Sequence, residues 1–342
     1  MPYTQVANLD FDQIKIALKE YMRGQSDFTD YDFEGSALAT LIDTLAYNTY
    51  YTAFNTNMVV NELFIDSATL RDNVVAIAKQ LGYRPKSATS PTAYVSFTVT
   101  YTNATTDTEL NLKTGTGFLA NYDNNLYNYV VTETVKAQVI NGVATFTNVP
   151  IREGTQITNT FTISTALKNQ RFILDNPNID TNTISVKVYP TGGSFNEPYL
   201  IADNILGVDG NSKVFFLDEI EDQRYEILLG DGVLGKKLEN NATIAVSYLI
   251  TNGPASNGVR SFVFSGVLVN ENGVPPNSFT TDITSTTPSA GGEEIESTQK
   301  IKYTAPKAYG TQDRAVTAQD YEAIVRQVYP ATSDIIIFGG ED

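Results

Sequence analysis

Between residues 8 and 82 apolar side chains recur at helical spacing, and from Thr92 onward they alternate. The helical part divides into three. Asp10 is placed to cap a first helix carrying Phe11, Ile14, Leu18, Tyr21 and Met22 on one side, with Gly24 beyond its end. After the turn-prone acidic stretch DFTDYDFEGS, Ser36 or Glu34 starts a longer helix. If it runs to Phe64 it spans roughly 45 Å at about 1.5 Å per residue. A third helix, capped near Ser67, carries Leu70, Val74, Ile77, Ala78 and Leu81 and stops at Gly82 and Pro85.

The long helix carries two apolar stripes. Leu38, Leu41, Ile42 and Leu45 line one face. Tyr47, Tyr50, Tyr51, Phe54 and Met58 repeat about 180° round the axis from them, at ~100° per residue. One hairpin partner covers one stripe only. Either the three helices cover both between them, or the tyrosine-rich stripe packs against helices of other subunits. Leu38, Leu41, Tyr47, Tyr50, Tyr51, Phe54 and Met58 are the candidate partner-facing residues.

The remainder reads as strands followed by a helix pair, an α+β multidomain chain. Val95, Phe97, Val99 and Tyr101 alternate, as do Ile184, Val186 and Val188, and Ile244, Val246, Tyr248 and Ile250. Asn141-Gly142 between two alternating runs is a two-residue hairpin signal. The expected division is a helical assembly segment over 1–90, an all-β domain over 91–178, and a second β portion over 179–290. The Gly/Pro/Ser/Thr-rich stretch 270–292 reads there as an extended connection. Paired helices occupy 291–342. Glu293, Glu294 and Glu296 would open the first and Lys300, Lys302 and Lys307 close it, with Pro306 as its stop. Thr317 would cap the second, with Asp320 three residues on in a near capping box and Tyr321 on its apolar face. Such a pair needs a sheet to lie on. The ending DIIIFGGED reads as a strand and turn with no partner, as though a further domain were supplied elsewhere.

Composition narrows the chemistry. The 342 residues contain no His and no Cys, which removes the commonest general base, the commonest transition-metal ligand, and all thiolate and disulfide chemistry. Net charge is −16, which opposes a broad nucleic-acid surface. The start MPYTQVANLDFDQ lacks the form of a signal peptide, and no apolar run approaches the ~20 residues that span a bilayer. The reading is of a soluble, cytoplasmically made protein with no membrane insertion. Gly230-Asp231-Gly232-Val233-Leu234-Gly235 matches G-x-G-x-x-G after an apolar run, but an alternating strand follows instead of a helix. Gly230, Asp231, Gly232 and Gly235 are therefore assigned to a structural turn. The acids at 218, 219, 221 and 222 read as a solvated loop, and Asp203 to Asn211 lacks calcium-loop spacing. No catalytic residue, cofactor or metal is expected, and the chain is not read as an enzyme.

Two stretches resemble known families. LLGDGVLGKKLENNATIAVSYLITNGPASNG and AGGEEIESTQKIKYTAPKAYGTQDRAVTAQDYEAIV resemble the strand-turn-strand and paired-helix signatures of baseplate J-like proteins of contractile phage tails. QSDFTDYDFEGSALATLIDTLAYNTYYTAFNTNM and TLRDNVVAIAKQLGYRPKSA resemble the N-terminal region of the baseplate wedge ring protein of large myoviruses. The resemblance implies a virion protein of the tail baseplate, assembled in the host cytoplasm. It would form a ring around the central hub and join neighbouring wedges. Its N-terminal helices would enter a bundle with a second copy of itself and another wedge protein, and the ring would transmit the rearrangement that triggers sheath contraction. A dimerisation domain follows the paired helices in that family, whereas this sequence ends at Asp342. The alternative is a glycan-binding tail fibre or receptor-recognition protein using the β domain over 92–175.

Overall fold

The computed structural model describes residues 7, 10–25, 36–167, 170–193, 195–202, 205, 207–311, 314–328 and 335–338. They fall into two compact units, Met1–Pro85 with Ser297–Asp342, and Lys86–Glu296.

The helical unit is built from α1 (Phe11–Arg23), α2 (Ala37–Glu62), α3 (Arg71–Gln80), α4 (Thr298–Thr311) and α5 (Ala318–Val328). Asp10 caps α1 by accepting from Gln13 N, and Ser36 Oγ caps α2 by accepting from Ala39 N at 3.0 Å. Glu34 lies outside the described residues. Ser67 does not cap α3. Its hydroxyl donates to the Asn61 carbonyl, and the carboxylate of Glu62, at the last turn of α2, takes over the role. It accepts from Thr69 N (2.8 Å), Leu70 N (3.2 Å), Asn73 Nδ2 (2.8 Å) and the Thr69 hydroxyl.

The first helix of the pair finds its packing partner among the other helices. Ile301 and Ala305 of α4 are fully buried with Ala68, Val74, Val75, Ala78 and Tyr83, so α4 shares a core with α3. That packing carries α4 through Pro306, which sits inside the helix and not at its end. The three acids are likewise displaced from the expected helix start, because α4 begins later, at Thr298. Glu293 bridges Thr89 through its backbone, and buried Glu296 accepts from Lys86 N at 3.0 Å. No strand forms over 335–338, and the rest of the DIIIFGGED ending lies outside the described residues. A strand with no neighbour has no ladder to hold it.

Among the described residues the β unit holds sixteen strands. In chain order they are β1 (Thr92–Tyr101), β2 (Glu109–Leu112), β3 (Gly117–Tyr122), β4 (Asn125–Val131), β5 (Val135–Ile140), β6 (Val143–Glu153), β7 (Thr155–Thr162) and β8 (Phe172–Leu174). There follow β9 (Ile179–Tyr189), β10 (Glu197–Ile201), β11 (Val214–Glu219), β12 (Tyr225–Leu229), β13 (Thr243–Ile250), β14 (Val263–Phe264), β15 (Leu268–Asn270) and β16 (Phe279–Thr286). Asn141 and Gly142, both at positive φ, make the two-residue turn between β5 and β6.

Sheet membership does not follow the boundary expected at 178. One sheet has β1 on one edge of β6, with β16 beyond it, and on the other edge both β4-β3-β14 and β5-β2-β15. The other runs β7-β13-β9-β10-β11-β12-β8, with only β10–β11 parallel. So β7 and β8 belong with the later strands, while part of the stretch expected to be a bare connection returns as β16 to pair with β1. Each sheet buries its own core. The first is centred on Phe97, stacked on Phe146 at 4.8 Å and edge-on to Phe118 at 5.6 Å. The second centres on Tyr248, Phe215, Ile179 and Ile244.

The chain crosses between sheets at Glu153-Gly154. Buried Glu153 accepts from the Thr251 hydroxyl (2.7 Å), Asn252 N (3.0 Å) and Asn252 Nδ2 (2.7 Å). Gly154 sits at φ 135, where a Cβ would lie 2.6 Å from the Ile250 carbonyl oxygen. Buried Asp180 accepts from Ser90 N (2.9 Å), the Ser90 hydroxyl and Asn182 N (3.1 Å).

Candidate assembly surface

Helix α2 has 26 residues, about 39 Å at 1.5 Å per residue. What it buries is neither of the expected stripes. Ala39, Ile42, Ala46, Ala53, Asn57 and Asn61 form the buried seam, with α1 packed on α2. At 100° per residue these positions fall within about 60° of one line, and the tyrosine stripe lies roughly 80° to one side of it. Leu41 and Leu45 lie roughly 120–160° to the other. Small residues in the seam allow close backbone approach, and Asn57 fills it by exchanging two hydrogen bonds with the backbone of Ala7 (2.9 and 3.0 Å).

Both flanks are left largely open to solvent. Leu41 is 59% exposed, Tyr47 56% and Phe54 41%; Tyr51 and Met58 are exposed too, while Leu38 and Tyr50 are half-buried. Ile42, grouped with the leucines by spacing, belongs to the buried seam. The aromatic rings contact one another, Tyr47 on Tyr51 at 4.8 Å and Tyr50 edge-on to Tyr51 at 6.3 Å. The Tyr47 phenol is held above its ordinary pKa, first by its hydrogen bond with Tyr51, then by burial and the neighbouring phenols.

This surface carries almost no charge. Asp43 and Glu62 are the only residues of α2 charged at neutral pH; Asp43 pairs with Lys15 at 2.6 Å and Glu62 is committed to α3. Its hydroxyls are also committed. Thr44, Thr49, Thr52 and Thr56 each donate to the carbonyl four residues back, at 2.8–2.9 Å. Covering this helix therefore strands no charge and none of these threonine hydroxyls, which lowers the cost of burying it, while the exposed amides of Asn48 and Asn55 call for partners across the interface.

The other singled-out residues are structural in their contacts. Gly230 and Gly235 approach so closely that a Cβ on Gly230 would lie 2.1 Å from the Gly235 carbonyl carbon. Gly232 and Gly235 take φ 98 and 88. Asp231 Oδ1 accepts from Leu234 N (2.9 Å) and Val233 N (2.8 Å), and these N–H groups hold its carboxyl below the usual range. The turn docks on the loop at 209–212 through Gly235 N to Asp209 O and Lys236 N to Ser212 O. It leads to β13 without an intervening helix, so there is no helix N-terminus to receive a phosphate. Asp209 Oδ1 is occupied by Asn211 N and the Ser212 hydroxyl; Asp203 and Asn204 lie outside the described residues. Thr317 and Asp320 cap α5 reciprocally, Thr317 N donating to Asp320 Oδ2 (2.8 Å) and Asp320 N to Thr317 Oγ1 (3.3 Å). Tyr321 is exposed.

Residues 10–83, which include this surface, match the family model described as baseplate wedge protein gp6-like, helical domain. The resemblance of the N-terminal stretches to a baseplate wedge protein holds. Across 335 residues the chain is 31% identical to baseplate wedge protein gp6 of Enterobacteria phage T4. The alignment covers 93% of this chain and 49% of that protein, so the chain spans about half the length of its relative. Among solved structures, the 6-fold symmetrised cryo-EM structure of the anti-feeding prophage baseplate aligns over 96% of this chain and 66% of that one. At 14% identity and a TM-score of 0.29 that likeness carries no weight for the fold. Among the described residues no helix is long and apolar enough to cross a membrane.

The small-residue seam is not legible in the sequence, because Ala39, Ala46, Ala53, Asn57 and Asn61 form no stripe of large apolar side chains. Glu62 is not singled out by its spacing either. Its place at the end of one helix, seven residues before Thr69, is a usable signal for a carboxylate that caps the next helix.

Proposed function

We propose that this chain is a structural subunit of a contractile-tail baseplate wedge, with α2 as its principal assembly element. Its partners are a second copy of itself and other wedge proteins, joined through a helical bundle, and neighbouring wedges joined in a ring around the hub. It is a virion component assembled in the host cytoplasm, and its work is to hold wedges together and pass on the rearrangement that starts sheath contraction. The observation that carries this reading is the uncharged, hydroxyl-satisfied surface of α2, with aromatic and leucine flanks exposed within a region matching a wedge-protein helical domain. Aromatic anchors are what such interfaces use, and an obligate one buries roughly 2,000 Å² or more.

The test is the double variant Tyr50→Ser/Phe54→Ser. Phe54 is exposed and Tyr50 half-buried, so the isolated chain keeps its fold and its circular dichroism. Two lost anchors at about 2 kcal/mol each weaken association by roughly two to three orders of magnitude. Co-purification with wedge proteins is then lost. Wild-type recovery of the complex would overturn the interface assignment.

A further inference from the structure

The second sheet, in the order β7-β13-β9-β10-β11-β12-β8, turns one face to its core, where Tyr199, Phe215, Leu217, Tyr225 and Ile227 are buried. Strand alternation puts the residues between them on the outer face. On β10, β11, β12 and β8 these include Leu200, Val214, Phe216, Leu228 and Ile173, all apolar. The register makes them neighbours. Leu200 pairs with Val214, Phe216 with Leu228, and Ile173 with Glu226, two residues before Leu228. Leu200 is 71% exposed and Leu228 40%, and the other three are half-buried. The same face of β9, β13 and β7 carries Ser185, Ser247 and Thr158 instead, the last two joined by a hydrogen bond at 2.8 Å. A contiguous apolar patch confined to half of an otherwise polar face marks an interaction surface.

The charges around this patch are divided between opposite corners. Lys187, on the outer face of β9, pairs in register with Pro198, two residues before Leu200, and so lies beyond the Val214 end of the patch. It is exposed and makes no ion pair among the described residues. Beyond the Phe216 end lie Asp218, Glu226 and the loop Glu221–Gln223 that joins β11 to β12. Arg171 holds Glu226 at 2.8 Å, and Arg224 holds Asp175 at 3.2 Å and Asp222 at 3.8 Å. Glu221 is exposed and makes no ion pair among the described residues, although its charge reaches Arg171 and helps to raise that guanidinium's pKa.

We propose that this face is a second contact between two copies of the chain, formed patch on patch about a two-fold axis, with Lys187 of each copy set against Glu221 of the other. It rests on the second-copy partnership proposed above and deepens it, using the β unit where that reading uses α2. A two-fold contact needs a self-complementary surface, on which residue i meets j and j meets i. A surface that runs from cation through apolar centre to carboxylate meets that condition. A half-turn over Val214 and Phe216 lays apolar surface on apolar surface and brings each unpaired lysine to an unpaired carboxylate. Arg171 and Arg224 already neutralise Glu226 and Asp222, so closing the contact does not set those two carboxylates bare against each other.

Carbodiimide cross-linking of a mixture of light and isotopically heavy full chains tests this. The reagent joins a lysine amine directly to a carboxylate with loss of water. The expected product is a Lys187–Glu221 linked peptide pair with one light and one heavy member; its absence, or its formation within single chains only, overturns the proposal. Sedimentation gives a second reading. It is run in the Tyr50→Ser/Phe54→Ser background, which leaves only contacts outside the aromatic flank of α2. Lys187→Glu and Glu221→Lys should each weaken the remaining self-association about tenfold, because like charges then face each other at both symmetric corners. The two swaps combined in one chain should restore it. Both side chains are exposed, so these variants keep the fold. Single swaps that associate as their parent does, or a combined swap no better than either, overturn the contact. A parent that is fully monomeric and gives no mixed link refutes the β contact alone and leaves α2 in place. A wild-type chain that is monomeric and gives no mixed link refutes the second-copy partnership on both surfaces.

Discussion

Glu62 ties two helices through one side chain, and replacing it isolates that tie. In Glu62→Ala the N–H groups of Thr69 and Leu70, the Thr69 hydroxyl and the Asn73 amide lose their shared acceptor. Bonds to a charged acceptor are worth about 1.5–3 kcal/mol each when buried, and loss of a helix cap about 1 kcal/mol. Glu62 is only half-buried and water can replace part of what is lost, so the expected cost is ~2 kcal/mol for Ala and ~1 kcal/mol for Gln. Burial pushes the carboxyl up, but hydrogen bonds from Asn73, Thr69 and the two backbone N–H groups outweigh it and hold the pKa at about 2. The folded value lies below the unfolded one. The stabilisation is therefore complete above the ordinary carboxylate pKa of about 4.3 and is lost as pH falls toward 2. Urea titrations followed at 222 nm at pH 7, 4 and 2.5 give the comparison. Wild type should exceed Glu62→Gln at pH 7, and the gap should close progressively below pH 4. A gap that stays constant across this range would refute the carboxylate's part in holding α3 to α2.

In the β unit, Gly154→Ala places a methyl 2.6 Å from the Ile250 carbonyl oxygen at φ 135, and should cost about 3 kcal/mol in urea unfolding. A loss under 1 kcal/mol would mean that the sheet crossing relaxes freely. Asp231→Ala removes the acceptor for two turn N–H groups at an exposed site, and should lower the urea midpoint slightly with the fold retained by circular dichroism. Asp320→Ala breaks one arm of the reciprocal cap on α5 and should lower the urea midpoint, whereas Asp320→Asn, which keeps an acceptor, should lower it less.

What was legible in the sequence is what is settled within a few residues. Asp10, Ser36 and Thr317 were readable as caps because the acceptor and the N–H it serves lie within one turn. Asn141-Gly142 was readable because few residues tolerate positive φ twice in succession. Long-range pairings were not. β1 meets β16 across more of the chain than any local pattern reports, and FTTDITST alternates too weakly to announce a strand. Pro306 reads locally as a helix stop, and packing of Ile301 and Ala305 against α3 overrides it. On α2 the two exposed flanks were visible, but the line between them was not. Ala39, Ala46 and Ala53 are too small to stand out, and buried Asn57 and Asn61 look polar until their backbone partners are known. That Leu200, Val214, Phe216 and Leu228 share one outer face could be found only from the sheet register.

The account depends most on whether other protein lies over the aromatic flank of α2 in the particle. Hydroxyl-radical footprinting of Tyr47, Tyr51, Phe54 and Met58 measures this directly, with the free chain and the purified baseplate compared residue by residue. Rapid oxidation of all four in the free chain and strong protection in the baseplate is the predicted result; equal oxidation in both would contradict it.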